Sequence, residues 1–275
     1  MISKLLLKIP TLQEIEPFVR FEVNRHMSPS FFIVGFQKCG TTTLYDSIMQ
    51  HPRVIPGITK ENNILAEKKE RLNEFRLCFP IKKTGKITGD ASHLHTWMPY
   101  GLERIKSNFP KAKVLVIMRD PVVRAFSHFN MDKRIGYIPK LMDFEKFVKI
   151  ELELRNGISE NFDADEVYEH MRFYGNKYGW PLSRGIYHLY LEKLKNLDIP
   201  FHSIFLEELQ SDFQGTMNGV LNFLEIEEID VFQQRSNSGD YKEMMNSATN
   251  DLLNEFYKEP NQRLSRLLDR KLPWA

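Results

Sequence analysis

Short apolar runs and helical periodicities alternate along this chain. Ser30 to Gly35 is a run of aromatic and β-branched residues closed by glycine, the pattern of a strand buried on both faces. After Gly40 the apolar positions move to Leu44, Tyr45, Ile48 and Met49, a spacing that predicts a helix starting at Thr41 or Thr42. Lys113 to Met118 repeats the first pattern and predicts a strand of a covered parallel sheet. Asp120 before Pro121 predicts a helix start, with the carboxylate as N-cap and proline at the first helical position. A helix around Ile186 to Leu197 leads into a third strand, Phe201 to Leu206. This alternation predicts an α/β fold with a central, mainly parallel sheet flanked by helices.

The rest of the chain is less regular. Residues 1–29 form an N-terminal extension, and residues 30–275 carry the main domain. Residues 130–183 are charged and rich in Tyr and Phe, with a predicted helix over Phe144 to Arg155. Two readings stand for that stretch: a lid or acceptor-binding insertion beside the sheet, or an ordinary pair of surface helices. From Ala248 a helix is expected, interrupted at Pro260 and resuming through Leu264, Leu267 and Leu268 to Trp274.

Composition narrows the function. The 275 residues carry 38 Lys and Arg against 36 Asp and Glu, a net charge of +2. That balance excludes a nucleic-acid binder working through bulk charge. The longest apolar runs are too short to span a bilayer, so no integral membrane segment is expected. Two cysteines, Cys39 and Cys78, are too few for a disulfide framework and suit a reducing compartment, so a cytoplasmic enzyme is expected.

The chemistry concentrates between the first strand and the first helix. Gly35-Phe-Gln-Lys38-Cys39-Gly40-Thr41-Thr42 has glycines at both ends, so backbone N–H groups and a helix N-terminus can wrap a phosphate. The spacing is P-loop-like, but Thr41 stands where a nucleotide P-loop has lysine, and the loop's lysine is Lys38. The second strand ends in Arg119 ahead of Asp120, which points to a second anion rather than to a metal. On the next helix Arg124, Ser127 and His128 share one face. These sites predict a single P-loop-like domain that binds a nucleotide with phosphates at both ends, with no metal required.

Phe36 to Leu44 and Arg119 to Ser127 resemble the two signatures of the sulfotransferases that use 3′-phosphoadenosine 5′-phosphosulfate (PAPS). The closing stretch from Phe256 to Trp274 is similar to the end of the heparan sulfate type, the N-deacetylase/N-sulfotransferases and 3-O-sulfotransferases, and its bacterial relatives. The resemblance implies PAPS as cosubstrate and assigns roles. Lys38 would meet the 5′-phosphosulfate and charge on the leaving phosphate. The N–H groups of Cys39, Gly40, Thr41, Thr42 and Thr43 would cradle that phosphate, while Arg119 and Ser127 would hold the 3′-phosphate. The Cys39 thiol is incidental, only its backbone being used. Other readings remain for two of these residues: a surface ion pair of Arg119 with Asp120, and a Ser127 hydroxyl bonded to its own helix.

Transfer to an alcohol or amine needs a base for the acceptor proton. Lys60-Glu61 falls where the heparan sulfate type carries its base, which makes Glu61 the first candidate. The alternative is His93, because other sulfotransferase branches use a histidine in that region. Asp90 with His93 and His95 also suggests a metal site, but with loose spacing and no further ligand cluster.

The chain departs from the resemblance in two places. Ala91 stands where relatives carry a lysine. Around Gly239, Ser238 and Asp240 replace the cations of a loop that closes over the nucleotide, and Lys242 or Arg235 are the available substitutes. Arg184 to Tyr187 matches a pattern that lines the nucleotide or acceptor cleft, or else packs the core. The implied activity is sulfuryl transfer to a glycan or another hydroxylated metabolite. The competing classes are a P-loop kinase or NTPase, and a catalytically silent nucleotide- or glycan-binding protein.

Overall fold

The structure, a computed structural model, describes residues 21–98, 100–155, 180–233 and 244–274. Its centre is a four-stranded parallel sheet of order β2-β1-β3-β4. The strands are β1 (Phe31–Ile33), β2 (Gly89–Asp90), β3 (Lys113–Met118) and β4 (Phe201–Phe205). Every residue of β1, and all of β3 after Lys113, is buried, as the unbroken apolar runs require of a sheet covered on both faces. β2 was not expected. It is two residues long, Gly-Asp, and has no apolar run to announce it.

Helices cover both faces. In chain order they are α1 (Thr41–Ile48), α2 (Leu72–Leu77), α3 (Leu94–Trp97), α4 (Gly101–Asn108) and α5 (Pro121–Ile135). Then come α6 (Phe144–Arg155), α7 (Tyr187–Asn196), α8 (Leu206–Ser211), α9 (Phe213–Phe223) and α10 (Ser247–Leu268). α5 begins as its sequence dictates: Asp120 Oδ1 accepts from Val122 N at 2.8 Å, Pro121 opens the first turn, and left-handed Gly136 closes the last.

One expectation is corrected at the C-terminus: α10 runs unbroken through Pro260. Leu253, Tyr257 and Leu264 all face the core, on both sides of the proline. Burying that stripe offsets the backbone hydrogen bond that proline removes. Beyond the helix, Trp274 packs edge-on to Phe205 at 5.0 Å and to Tyr187 at 6.3 Å, so the tail closes against β4 and α7.

Residues 130–155 and 180–183, the described parts of the 130–183 segment, contribute to a second apolar core. There Val122, Phe129, Phe144, Phe147, Leu182 and Tyr257 bring α5, α6 and α10 together. Residues 156–179, residues 1–20 of the N-terminal extension, and the loop carrying Arg235, Ser238, Gly239, Asp240 and Lys242 lie outside the described residues.

The chain leaves β1 to form β2 on one side and β3 on the other, which makes the carboxyl end of β1 the topological switch point, where open α/β sheets bind ligands. Gly35 sits there under tight constraint. A Cβ at this position would lie 2.5 Å from Ile117 Cγ2 and 2.8 Å from Thr41 Cγ2. Gly35→Ala is therefore expected to cost ~1–3 kcal/mol by overpacking and to lower the melting temperature by several degrees. A thermal melt indistinguishable from that of the parent would show that the loop yields without strain.

Candidate active site

The loop from Gly35 to Gly40 turns sharply enough to need left-handed backbone. Lys38 has φ of 69° and Gly40 has φ of 91°. At Gly40 a side chain would also meet Leu206 Cδ1 at 2.7 Å, so both the conformation and the space select glycine. α1 starts with no side-chain cap and no acidic residue in its first turn. An N-terminus left this way, with a positive dipole end, favours an anion. Cys39 differs from its neighbours: its N–H donates to the Phe36 carbonyl at 3.1 Å, closing the turn. Its thiol is fully buried, and burial pushes its pKa up to about 11, which makes it a packing group rather than a nucleophile.

The segment after β3 reaches the same loop. Arg119 donates to the Lys38 carbonyl at 3.3 Å, and among the described residues no ion pair joins it to Asp120, whose carboxylate caps α5. Arg124, Ser127 and His128 are all buried on one face of α5. Arg124 donates to the Gln37 carbonyl at 3.4 Å and to the Pro181 carbonyl. Arg184 donates to Gln37 Oε1 at 2.6 Å and stacks over Trp97 at 4.9 Å. Two buried guanidiniums thus hold the loop through one glutamine. Burial lowers the Arg184 pKa to about 10, and burial followed by the two arginines keeps His128 neutral.

Tyr187 donates to the Arg119 carbonyl at 2.8 Å and packs against Phe36, so Arg184 and Tyr187 both serve the loop from behind. Sequence reasoning noticed these two and left their role open. Gln37 it missed, because nothing in the loop's spacing marks a glutamine as the residue two arginines will grip.

Glu61, Lys60 and His93 come together beside α1. Lys60 Nζ donates to Thr42 Oγ1 at 2.6 Å and lies 3.0 Å from Glu61 Oε1. His93 Nδ1 lies 3.4 Å from the other Glu61 oxygen. The His93 hydrogen bond, ahead of the Lys60 ammonium, lowers the Glu61 pKa to about 2 against the cost of partial burial. Burial lowers the His93 pKa, so a neutral imidazole donates its Nδ1 proton to an ionised carboxylate.

A buried clamp holds this group in place. Ala91 N donates to the Lys60 carbonyl at 3.0 Å, while Asn62 N donates to Asp90 Oδ1 at 3.1 Å and lies 2.7 Å from Ser92 Oγ. His95 Nε2 faces the Asn62 carbonyl at 3.1 Å and therefore carries a proton. Its Nδ1 then presents a lone pair to Asp90 Oδ2, 3.3 Å away. Asp90 Oδ2 also accepts from Ser92 N at 3.0 Å. Burial raises Asp90 from 3.8 to about 7 and lowers His95 from 6.5 to about 3, which favours the neutral form of both. His95 and Asp90 are thus engaged with the loop. Among the described residues, no group of His, Cys, Asp or Glu is arranged to hold a metal ion.

The family model for the sulfotransferase domain matches residues 28–266. The membrane-associated sulfotransferase kil1 of Dictyostelium discoideum is 21% identical over 90% of this chain and 66% of its own length. Carbohydrate sulfotransferase 15 of Mus musculus is 25% identical over 88% of this chain and 53% of its own. Heparan sulfate glucosamine 3-O-sulfotransferase 6 of Homo sapiens is 26% identical over 74% and 54%. The chain therefore spans about half to two thirds of the length of these curated relatives. A sulfotransferase from Alicyclobacillus acidocaldarius shares the fold with a TM-score of 0.70 and 22% identity, covering 89% of this chain and 97% of that one. Mouse sulfotransferase SULT7A1 complexed with PAP does so with a TM-score of 0.55 and 17% identity, over 92% of each chain. Among the described residues no helix is long and apolar enough to cross a membrane.

The buried pair makes a prediction about acid. Between pH 3.8 and 6.5 the unfolded chain carries Asp90 ionised and His95 protonated, while the folded chain carries the single proton on Asp90. Both states hold one proton, so the pair leaves stability flat across that range. Asp90→Asn removes the compensating half. The unfolded His95 then binds a proton that the folded one refuses, and stability should rise with pH from about 3 to 6.5 and level off above. Urea unfolding of the variant and its parent at several pH values measures the difference in slope. Parallel profiles would place the proton elsewhere.

Proposed function

The chain belongs to the sulfotransferase family, and on that premise we propose that it moves the sulfuryl group of PAPS to a hydroxyl or amine of a glycan or another hydroxylated metabolite. One observation supports this reading above the others. The phosphate loop, the Arg119 segment and a carboxylate–imidazole pair meet at one end of the sheet, with Thr42 and Glu61 both held by Lys60. A place for a phosphate thus adjoins a place for a base. The naming of carbohydrate and heparan sulfate sulfotransferases among the relatives favours a glycan acceptor.

The residues suit such a donor. Gly40, Thr41, Thr42 and Thr43, at the uncapped start of α1, receive the 5′-phosphate, with the Cys39 amide already engaged in the turn. Lys38 stands in the same loop to meet charge on the departing oxygen. Arg119 and Ser127 hold the 3′-phosphate, and Gly239 is assigned to the part of the nucleotide site outside the described residues. No role for a metal is assigned. The presence of PAP in the SULT7A1 structure supports the nucleotide assignment.

The acceptor proton passes to the Glu61 carboxylate, which is ionised at neutral pH and aimed by the His93 Nδ1–H. Glu61→Gln should keep PAP binding and reduce transfer by ~10²–10⁴-fold. His93→Ala should cost less, because it removes the group that orients the base rather than the base. The comparison belongs at saturating acceptor, where weakened binding is not mistaken for slowed chemistry. Normal turnover in Glu61→Gln with none in His93→Ala would exchange the two roles.

The nucleotide is tested separately. PAP should raise the melting temperature without magnesium, whereas ATP with magnesium should raise it little. Arg119→Ala should weaken PAP by ~2–5 kcal/mol while leaving adenosine 5′-phosphosulfate nearly untouched. Equal losses for nucleotides with and without the 3′-phosphate would remove Arg119 from that site, and stabilisation by magnesium ATP alone would favour a kinase.

A further inference from the structure

Lys60 is placed unlike the other cations of the site. Its stem starts in the loop clamped to β2, and its ammonium crosses to the first turn of α1, where it meets the Thr42 hydroxyl at 2.6 Å. On its other side it touches Glu61 at 3.0 Å. The side chain is about three-quarters buried, at 24% exposure, so this is not a lysine waving in water. Glu61 compensates the ammonium on one side only. On the side of α1 it meets a neutral hydroxyl, which returns little for the conformational entropy lost in ordering the side chain. An anionic group between loop and carboxylate would return more.

Resting on the reading above, we propose that Lys60 is a further catalytic residue, whose ammonium binds the sulfuryl group itself as it passes from the phosphate loop to the Glu61 side. The geometry requires no large movement. The group in transit must lie between the phosphate held at Thr42 and the acceptor oxygen held at Glu61, and Lys60 Nζ already occupies the boundary between them.

In the step, an electron pair on the acceptor oxygen forms the new S–O bond. The bond from sulfur to the bridging oxygen breaks, its electron pair goes to the 5′-phosphate, and the acceptor proton goes to Glu61. Lys60 keeps its protons and donates hydrogen bonds to the sulfuryl oxygens throughout. Lys38 and Lys60 then divide the work, one at the leaving oxygen and the other at the transferred group. Hydrogen bonds to the sulfuryl oxygens share the ammonium with Glu61 and weaken its pull on the carboxylate, while the His93 bond stays in place.

The division has a binding signature that needs no acceptor. PAPS carries the sulfuryl group and PAP lacks it, so a residue touching that group affects only the first. Calorimetric Kd values for both nucleotides would be measured with the parent, Lys60→Met and Lys60→Arg. Lys60→Met is expected to bind PAP within about twofold of the parent and PAPS about tenfold more weakly, the loss of one charge-assisted hydrogen bond. Lys60→Arg should recover most of that loss. If Lys60→Met does not fold, Lys60→Gln gives the same ratio. Equal effects on PAP and PAPS, or no effect on either, would overturn the proposal while leaving the family reading intact. A parent protein that binds neither nucleotide would overturn the donor assignment beneath it, and that result is seen before any variant is compared.

Discussion

The attachment of residues 60–62 to the end of β2 is the constraint on which the site depends. Without it the loop between β1 and α1 would keep its turn, but no carboxylate or ammonium would stand opposite. The attachment is made by backbone groups: the Ala91 amide to the Lys60 carbonyl, and the Asn62 amide and carbonyl to Asp90 and His95. Such bonds place the chain without consuming the side chains of Lys60 and Glu61. They also lie in the interior, where Asp90 and His95 are almost completely excluded from water and an unmade hydrogen bond is expensive. A loop fixed in this way can present an ammonium and a carboxylate at fixed separation, the preorganisation that electrostatic catalysis requires.

The rear of the loop is built on a different principle. Arg124 and Arg184 are both buried, and their main partners are carbonyls and the Gln37 amide. Burial of a guanidinium is costly for the fold, and here the buried carboxylates of Glu151 and Asp132 offset part of that cost. Both arginines lie directly behind the loop between β1 and α1, so their charge adds to the positive end of that helix. His128, kept neutral by burial and by these arginines, adds packing and a hydrogen-bond acceptor without a further charge.

Much of this arrangement was legible in the sequence. The runs at Phe31 and Val114 are unbroken because both faces of the sheet are covered, and Asp120 with Pro121 starts a helix by local chemistry alone. The phosphate loop could be read because glycine at 35 and 40 answers to steric demands that no other residue meets. β2 could not, since two residues cannot show a period, and its place in the sheet is decided by pairing with β1. Pro260 misled for the opposite reason: a local rule against proline was overridden by a tertiary one, the burial of Leu253, Tyr257 and Leu264 along a single stripe. The grip on Gln37 and the pairing of Asp90 with His95 were hidden because both join residues far apart in sequence through side chains that keep no fixed spacing.

The position of Ala91 shows how such long-range contacts change the meaning of a substitution. Judged along the chain, an alanine where relatives carry a lysine reads as a lost cation at the transfer site. In space, the Ala91 amide is bonded to Lys60, whose ammonium reaches the phosphate loop. A small side chain at 91, fully buried, fits the interior beside that strand of loop. The neighbouring segment therefore brings a cation to the side of α1 that position 91 leaves without one. Two segments clamped together can each carry a charge to the same region. The Lys60 ammonium also rests on Glu61, so one cation joins the first turn of α1 to the carboxylate. The His93 hydrogen bond first, and the Lys60 ammonium after it, hold that carboxylate ionised, so its charge is fixed from two segments at once.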